Sequence, residues 1–193
     1  MRQKLSEEEI LRKGLAVSAV LASVLLAGCS GGGGGTTPPT ATSAASEPTT
    51  SQSARTAPAK SLDVADRCSI VSQDQAKQLG ADQEPRERES NGKPGCNYDL
   101  GTSGGGFMVF VAADKKQTMQ KFADSRKSSV EMTEVGGYPA AQVLVDKSSC
   151  LLALDVSDQG SLYVNGLVPS GSLNPCDLSK QFAEAAIKNL PNA

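Results

Sequence analysis

The spacing of apolar residues in the last two thirds of the chain predicts helices in three places. The first begins at Ser72, which has the spacing of a capping box with Gln75, and it ends near Gly80, a typical C-terminal cap. The second predicted helix begins at Asp114, which has the spacing of a capping box with Gln117. Its apolar stripe consists of Met119, Phe122 and Ala123.

The third predicted helix lies near the C-terminus. It opens with Asn174 as the N-cap and Pro175 at the first helical position. Its buried face is predicted from apolar residues that recur every four positions, namely Leu178, Phe182, Ala186 and Leu190.

Short apolar runs between turn signals predict the strands. The runs cover residues 96–100, 107–113, 131–135, 140–145, 150–156 and 161–167, of which 131–135 has the weakest pattern. Phe107, Val109 and Val111 fall on one face of their strand. The turn at 157–160 joins the last two strands in a hairpin, whereas the charged segment 84–95 is expected to be a solvated loop.

The order of these elements, α-β-β-α-β-β-β-β-α, predicts the fold class. Neighbouring strands joined by short turns favour an antiparallel sheet. We therefore expect an α+β fold with about five or six strands and three helices packed on the sheet.

The first 28 residues have the form of a signal peptide. Residues 14–28 are apolar or small, follow four basic residues, and are too few for a comfortable membrane span of roughly 20 residues. The order Leu26, Ala27, Gly28, Cys29 closely resembles the lipobox of bacterial lipoproteins, which implies cleavage before Cys29 and lipidation of its thiol. We expect a lipid anchor on the extracytoplasmic face of the cell membrane; a plain secretory signal or an uncleaved anchor is the alternative.

The segment after the signal peptide has the composition of a linker. Residues 29–61 contain almost only Gly, Thr, Pro, Ala and Ser after the lipidated cysteine. Such a segment buries too little apolar surface to offset its chain entropy, so we expect it to be disordered. Residues 62–193 then form one domain of ordinary size.

Composition excludes several classes of function. The formal net charge is −2 and no basic stripe with interleaved aromatics is present, so nucleic acid is not an expected partner. The chain has no His, which excludes a Ser-His-Asp triad and a mixed Cys/His metal site. We expect no metal and no cofactor.

Four cysteines besides Cys29 predict a disulfide framework, since an even number in an exported domain is typical of one. The predicted hairpin brings the end of its second strand beside Cys150, and Cys176 follows shortly after that end. Cys150–Cys176 is therefore the geometrically easy bridge, which leaves Cys68–Cys96. Three connectivities are possible for four cysteines, and this layout favours one of them.

The alternative to a binding protein is a hydrolase. A carboxylate site could use aspartates near strand ends or in a turn, namely Asp99, Asp155 and Asp158. A Ser-Lys site could combine Ser148 or Ser179 with Lys147 or Lys180. The glycine-rich segment 101–106 lacks the Lys and Ser/Thr of a phosphate-binding loop and is better interpreted as a hairpin tip.

One segment outside the predicted core could form a recognition loop. Two glycines, Tyr138 and a proline stand together within residues 135–142. Tyr138 is therefore a candidate contact residue for a ligand. The favoured alternative is a turn between two strands, with Gly136 and Gly137 allowing the chain reversal.

Several segments together resemble the DUF3558 family of actinobacterial lipoproteins, domains of unknown function. They are RCSIVSQDQAKQLG, GCNYDL, VGGYPAAQ, CLLALDVSDQGSLYVNG and NPCDLSKQFAEAAIKNLP. One departure is Tyr98, where the resemblance implies Trp. The resemblance implies an envelope lipoprotein, and at the level of fold a PsbP-type sandwich.

These observations predict a non-enzymatic domain, tethered through Cys29, that binds an envelope protein or ligand. A pocket with converging polar groups would favour a hydrolase instead. An exposed apolar patch would favour an accessory of a larger envelope complex.

Overall fold

Seven strands and three helices form the fold in the computed structural model, which describes residues 55–101, 106–169 and 173–193. The strands are β1 (Arg86–Ser90), β2 (Lys93–Leu100), β3 (Phe107–Asp114), β4 (Glu131–Val135), β5 (Tyr138–Asp146), β6 (Ser149–Ser157) and β7 (Gly160–Leu167). The helices are α1 (Gln73–Gln78), α2 (Met119–Asp124) and α3 (Pro175–Asn189). One antiparallel sheet contains all seven strands in the order β1-β2-β3-β7-β6-β5-β4, so the α+β prediction is confirmed.

The prediction of a solvated loop at residues 84–95 is wrong, because strand β1 lies within it. Its residues alternate between Arg and Glu and are almost all exposed, so no apolar periodicity marks it as a strand. A tight turn with positive φ at Asn91 and Gly92 pairs it with β2. Charges on an edge strand also discourage pairing with another chain. The sheet therefore has seven strands where five or six were expected.

Two of the three predicted helix starts are confirmed. Ser72 and Gln75 form a capping box at α1, and Gly80 adopts a positive φ just after that helix. Asn174 caps α3, whose predicted apolar face is buried in full. The start predicted at Asp114 is wrong: Asp114 ends β3, and Thr118 caps α2 by accepting a hydrogen bond from the Lys121 N–H.

Both faces of the sheet are covered, by different helices. On one face α3 packs against Tyr98, Val109, Val111 and other buried residues of the central strands. On the other face the short helix α2 covers Ala153 and Tyr163. This explains why the apolar runs of the central strands are continuous rather than alternating.

The folded region begins earlier than residue 62, which corrects the predicted linker boundary. The Lys60 N–H donates to Val156 O at 2.7 Å, and the Ser61 N–H donates to Pro191 O at 2.8 Å. The C-terminal Ala193 N–H in turn donates to Ala59 O at 2.9 Å. Residues 55–61 are thus hydrogen-bonded to the domain.

The sheet has two ends, which we call the proximal end and the distal end. The proximal end carries the β4–β5 turn at Gly136 and Gly137 and the β6–β7 turn at Asp158. Arg55, the first described residue, forms an ion pair with Asp158 there. The distal end carries the β5–β6 turn at Lys147. No helix among the described residues is long and apolar enough to cross a membrane.

Candidate functional site

The four cysteines of the folded region form two disulfides. Cys68 is bonded to Cys96 and Cys150 to Cys176, each with a Cα–Cα distance of 5.0 Å. The structure thus contains the pairing that the predicted hairpin favours. Cys29 and the signal peptide lie outside the described residues, as does most of the segment 101–106 interpreted as a hairpin tip.

Tyr138 is not a surface contact residue, which corrects the recognition-loop hypothesis. Its side chain is 1% exposed, and its hydroxyl donates a hydrogen bond of 2.6 Å to Pro58 O. Gly136 and Gly137 have positive φ and form the turn that the alternative interpretation predicted. Tyr138 therefore fastens the N-terminal segment to the sheet.

The hydroxyls of the two candidate serines donate to acceptors other than the candidate lysines. Ser179 is fully buried and its hydroxyl donates to Pro175 O at 2.9 Å. The Ser148 hydroxyl donates to Asp146 at 2.7 Å in the exposed β5–β6 turn. A Ser-Lys site needs the lysine to accept the serine proton, and among the described hydrogen bonds neither Lys147 nor Lys180 accepts from these hydroxyls.

Asp99 lies too far from the other two candidate aspartates to share a substrate with them, whereas Asp155 and Asp158 lie together around Arg55. Asp99 lies at the distal end of β2 and binds Arg86 at 2.7 Å. Asp155 and Asp158 lie at the proximal end, where both contact Arg55. A length of sheet separates Asp99 from the other two, whereas paired glycosidase carboxylates lie within about 10 Å of each other.

A groove at the proximal end is the candidate site. It encloses about 280 Å³ between the N-terminal segment, the start of β2 and the end of β3. Four of its lining residues are apolar, and we refer to them as the floor of the groove: Leu62, Val64, Pro94 and Ala113. The other four are charged, namely Arg67, Asp114, Lys115 and Lys116. A second recess of about 260 Å³ adjoins it and shares Leu62 and Lys115 with it. We refer to the first of these as the proximal groove.

A buried ion pair holds the end of β3 in place below the groove. The Lys93 and Asp114 side chains are in contact and are only 12% and 3% exposed. The Lys93 ammonium also donates to Gln117 at 3.1 Å and lies 5.2 Å from the centre of the Tyr163 ring. Asp114 accepts a further hydrogen bond of 2.8 Å from the Lys116 N–H. The Asp114 carboxylate is therefore satisfied internally, and it fixes the direction of the chain at Lys116.

Three cations surround the floor of the proximal groove. Arg67 pairs with Glu87 at 3.0 Å, and Lys115 is in contact with Asp63. All four of these side chains are about half exposed or more, so their pairing contributes little to stability. The Lys116 side chain has no hydrogen-bond or ion-pair partner within the described part of the chain.

The tyrosines have structural roles in the fold. Burial raises the pKa of Tyr98 to about 12, and burial also raises the pKa of Tyr138 and Tyr163. All three phenols, which are the full set of tyrosines in the chain, therefore stay protonated at neutral pH and act through their hydrogen bonds.

Sequence reasoning missed the proximal groove. Its residues come from three segments that are distant in the sequence, and none of them carries a motif. The adjacent pair Lys115 and Lys116 after an apolar strand is the one local signal, and such a pair is also typical of an ordinary solvated turn.

The fold and the groove define a disulfide-bonded α+β domain with a shallow groove lined by apolar and charged residues. A family model described as "Protein of unknown function (DUF3558)" matches residues 24–189. The chain therefore belongs to the DUF3558 family. No curated protein and no solved structure matches it.

Proposed function

We propose that this chain is a lipid-anchored, non-enzymatic binding module on the extracytoplasmic face of the cell membrane. Two observations support this location. The sequence from Leu26 to Cys29 has the order of a lipobox. The two disulfides are of the kind that forms in an oxidising compartment outside the cytoplasm. The likeness to a PsbP-type sandwich is also part of this proposal and carries no argument about function.

The proximal groove is the ligand site in this proposal, and its chemistry indicates the ligand class. An apolar floor ringed by Arg67, Lys115 and Lys116 suits a ligand with a short apolar part and a negative charge. A carboxylate ligand could replace Asp63 beside Lys115 and gain Lys116, which has no partner among the described side chains. This cation-rimmed apolar floor is the observation that carries the binding proposal.

An NMR titration with a simple probe tests this role. Hexanoate is added to the ¹⁵N-labelled chain from position 29 onward, which carries Cys29→Ser so that it stays in solution. We expect saturable shifts at the amides of Leu62, Val64 and Ala113, because the probe lies on the groove floor. Hexan-1-ol has the same apolar part without the charge and should bind at least about threefold more weakly.

Lys116→Gln should weaken hexanoate binding by about threefold at low salt, since it removes one unpaired cation from the rim. Lys121→Gln is the matched control, because Lys121 is an exposed lysine of α2 outside the groove. Equal effects of the two substitutions, or equal shifts with hexanoate and hexan-1-ol, would contradict the proposed site.

A further inference from the structure

Exposed apolar side chains concentrate at the distal end of the sheet. Four large apolar side chains in the described ranges are exposed by about half. Leu144 and Val145 are each 56% exposed and stand next to each other at the end of β5. Leu173 is 48% exposed and lies just before α3, whereas Met132, at 51%, lies on the edge strand β4. We refer to Leu144, Val145 and Leu173 as the distal patch.

The distal patch is held by an ordered framework. Leu144 pairs with Cys150 across the β5–β6 hairpin, and the Cys150–Cys176 disulfide joins that hairpin to the first turn of α3. Leu173 precedes Cys176 by three positions, which brings it to the same end of the molecule. A register shift after Leu144 marks an irregularity in β5 at this point. The exposed side chains are thus presented by a cross-linked hairpin.

The net charge of the side chains around the distal patch is close to zero or slightly negative. Asp146 ends β5, Lys147 lies in the turn after it, and Asp177 is exposed in the first turn of α3. Hydrogen bonds from the Ser148 hydroxyl and N–H lower the pKa of Asp146, so its carboxylate is ionised at neutral pH. Binding through this surface therefore depends on apolar burial and not on attraction to anionic groups.

The length of chain ahead of the domain fits contact of this end with a membrane. The chain joins the domain at the proximal end, where the Thr56 N–H donates to Gly137 O at 3.1 Å. Strand β5 runs from that end to the distal end over nine residues, about 27 Å. Twenty-five residues separate Cys29 from Arg55, and a chain of that length can reach at most about 80–90 Å. The chain is therefore long enough for the distal end to lie on the membrane that would hold Cys29.

We propose that the distal patch rests on the membrane, with Leu144, Val145 and Leu173 at the boundary between headgroups and acyl chains. This inference depends on the proposed lipid anchor at Cys29. Three half-exposed side chains bind a bilayer weakly by themselves, and the anchor supplies the local concentration that they need. The proximal groove then faces away from the bilayer and is open to ligands.

Single tryptophan probes test this orientation by fluorescence. The chain contains no Trp of its own, so all tryptophan fluorescence comes from the probe. Val145→Trp places the probe in the distal patch, and Met132→Trp is the matched control with similar exposure elsewhere. The full chain, expressed with residues 1–28 and extracted from a membrane fraction, is reconstituted in phosphatidylcholine vesicles with or without brominated acyl chains. We expect bromine to quench Trp at 145 by about twofold and to leave Trp at 132 almost unchanged. Added phosphatidylglycerol should not change the quenching, since the patch carries no net positive charge.

Flotation of the vesicles precedes the fluorescence measurement. It distinguishes a failure of the lipid-anchor proposal from a failure of the inference about the distal patch. A chain that does not float with the vesicles lacks the anchor, and that result overturns the lipid-anchor proposal together with this inference. A chain that floats but shows equal quenching at 145 and 132, or quenching at neither position, overturns this inference alone. Protection of Trp at 145 from acrylamide without bromine quenching also overturns it, because a protein would then cover the patch.

Discussion

At the scale of single residues, Tyr98 connects the disulfide region to the core. Its hydroxyl accepts a hydrogen bond of 3.2 Å from the Val71 N–H and donates one of 3.1 Å to Cys68 O. Its ring lies 5.6 Å from that of Phe182 in α3. The resemblance implied Trp at this position, and an indole N–H could donate to Cys68 O but could not accept from Val71. Such partners depend on the tertiary fold, so the sequence alone did not reveal them.

Tyr98→Phe should lower the free energy of unfolding by about 1–3 kcal/mol at pH 8, because it leaves two buried backbone groups without their partner.

The same substitution should also change how the free energy of unfolding depends on alkaline pH. The pKa of Tyr98 is raised to about 12 in the folded state, so the unfolded chain loses this proton first, near pH 10. The wild-type chain should therefore lose stability as the pH rises from about 10 to 12, and the variant should lose less. Urea denaturation at pH 8, 10 and 11 measures both effects.

Tyr163→Phe is the control for this comparison. The Tyr163 hydroxyl has a single longer contact, a hydrogen bond of 3.3 Å from Asn91, so its loss should cost less at pH 8. Equal stability of the wild type and Tyr98→Phe at pH 8 would show that the two hydrogen bonds of Tyr98 do not support the fold.

At the scale of elements, sequence motifs predicted the helix starts that depend only on hydrogen bonds between neighbouring residues. The capping box of α1 and the Asn-Pro start of α3 satisfy their own backbone groups and were found from the sequence. Strand β1 lacks any apolar residue and is formed by its pairing with β2, which no periodicity indicates. Asp114 has the spacing of a helix cap, but its contact with the distant Lys93 determines its role.

The packing of α3 on β7 depends on the absence of a side chain at Gly166. A Cβ there would lie 2.5 Å from Ser179 Oγ and 2.8 Å from Pro175 O. Gly166→Ala should therefore push the start of α3 from the sheet and cost about 1–3 kcal/mol of unfolding free energy, measured by urea denaturation.

A double-mutant cycle with Ser179→Ala gives the control for this prediction. Removing the Ser179 hydroxyl relieves one of the two close contacts, so the double variant should lose less stability than the sum of the single variants. Strict additivity, or a neutral Gly166→Ala, would contradict the close approach of helix and strand.

At the scale of the whole molecule, the disulfides could be predicted from the sequence, whereas the proximal groove and the distal patch could not. The Cys150–Cys176 bridge follows from a local hairpin and the helix after it, so its geometry was available from element order. The proximal groove and the distal patch join residues from separate segments, and their positions depend on the sheet topology. The segment 55–61 looked like linker by composition, yet hydrogen bonds to β6 and to the C-terminus make it part of the domain.

The central claim is that a disulfide-bonded binding domain is held at the membrane by a lipid on Cys29. The intact mass of native protein from a membrane fraction, with and without reduction, tests it most directly. We predict the mass of a chain that begins at lipidated Cys29 and gains four hydrogens on reduction, two for each disulfide. The mass of an unlipidated chain, or free thiols at Cys68, Cys96, Cys150 and Cys176 before reduction, would contradict the account.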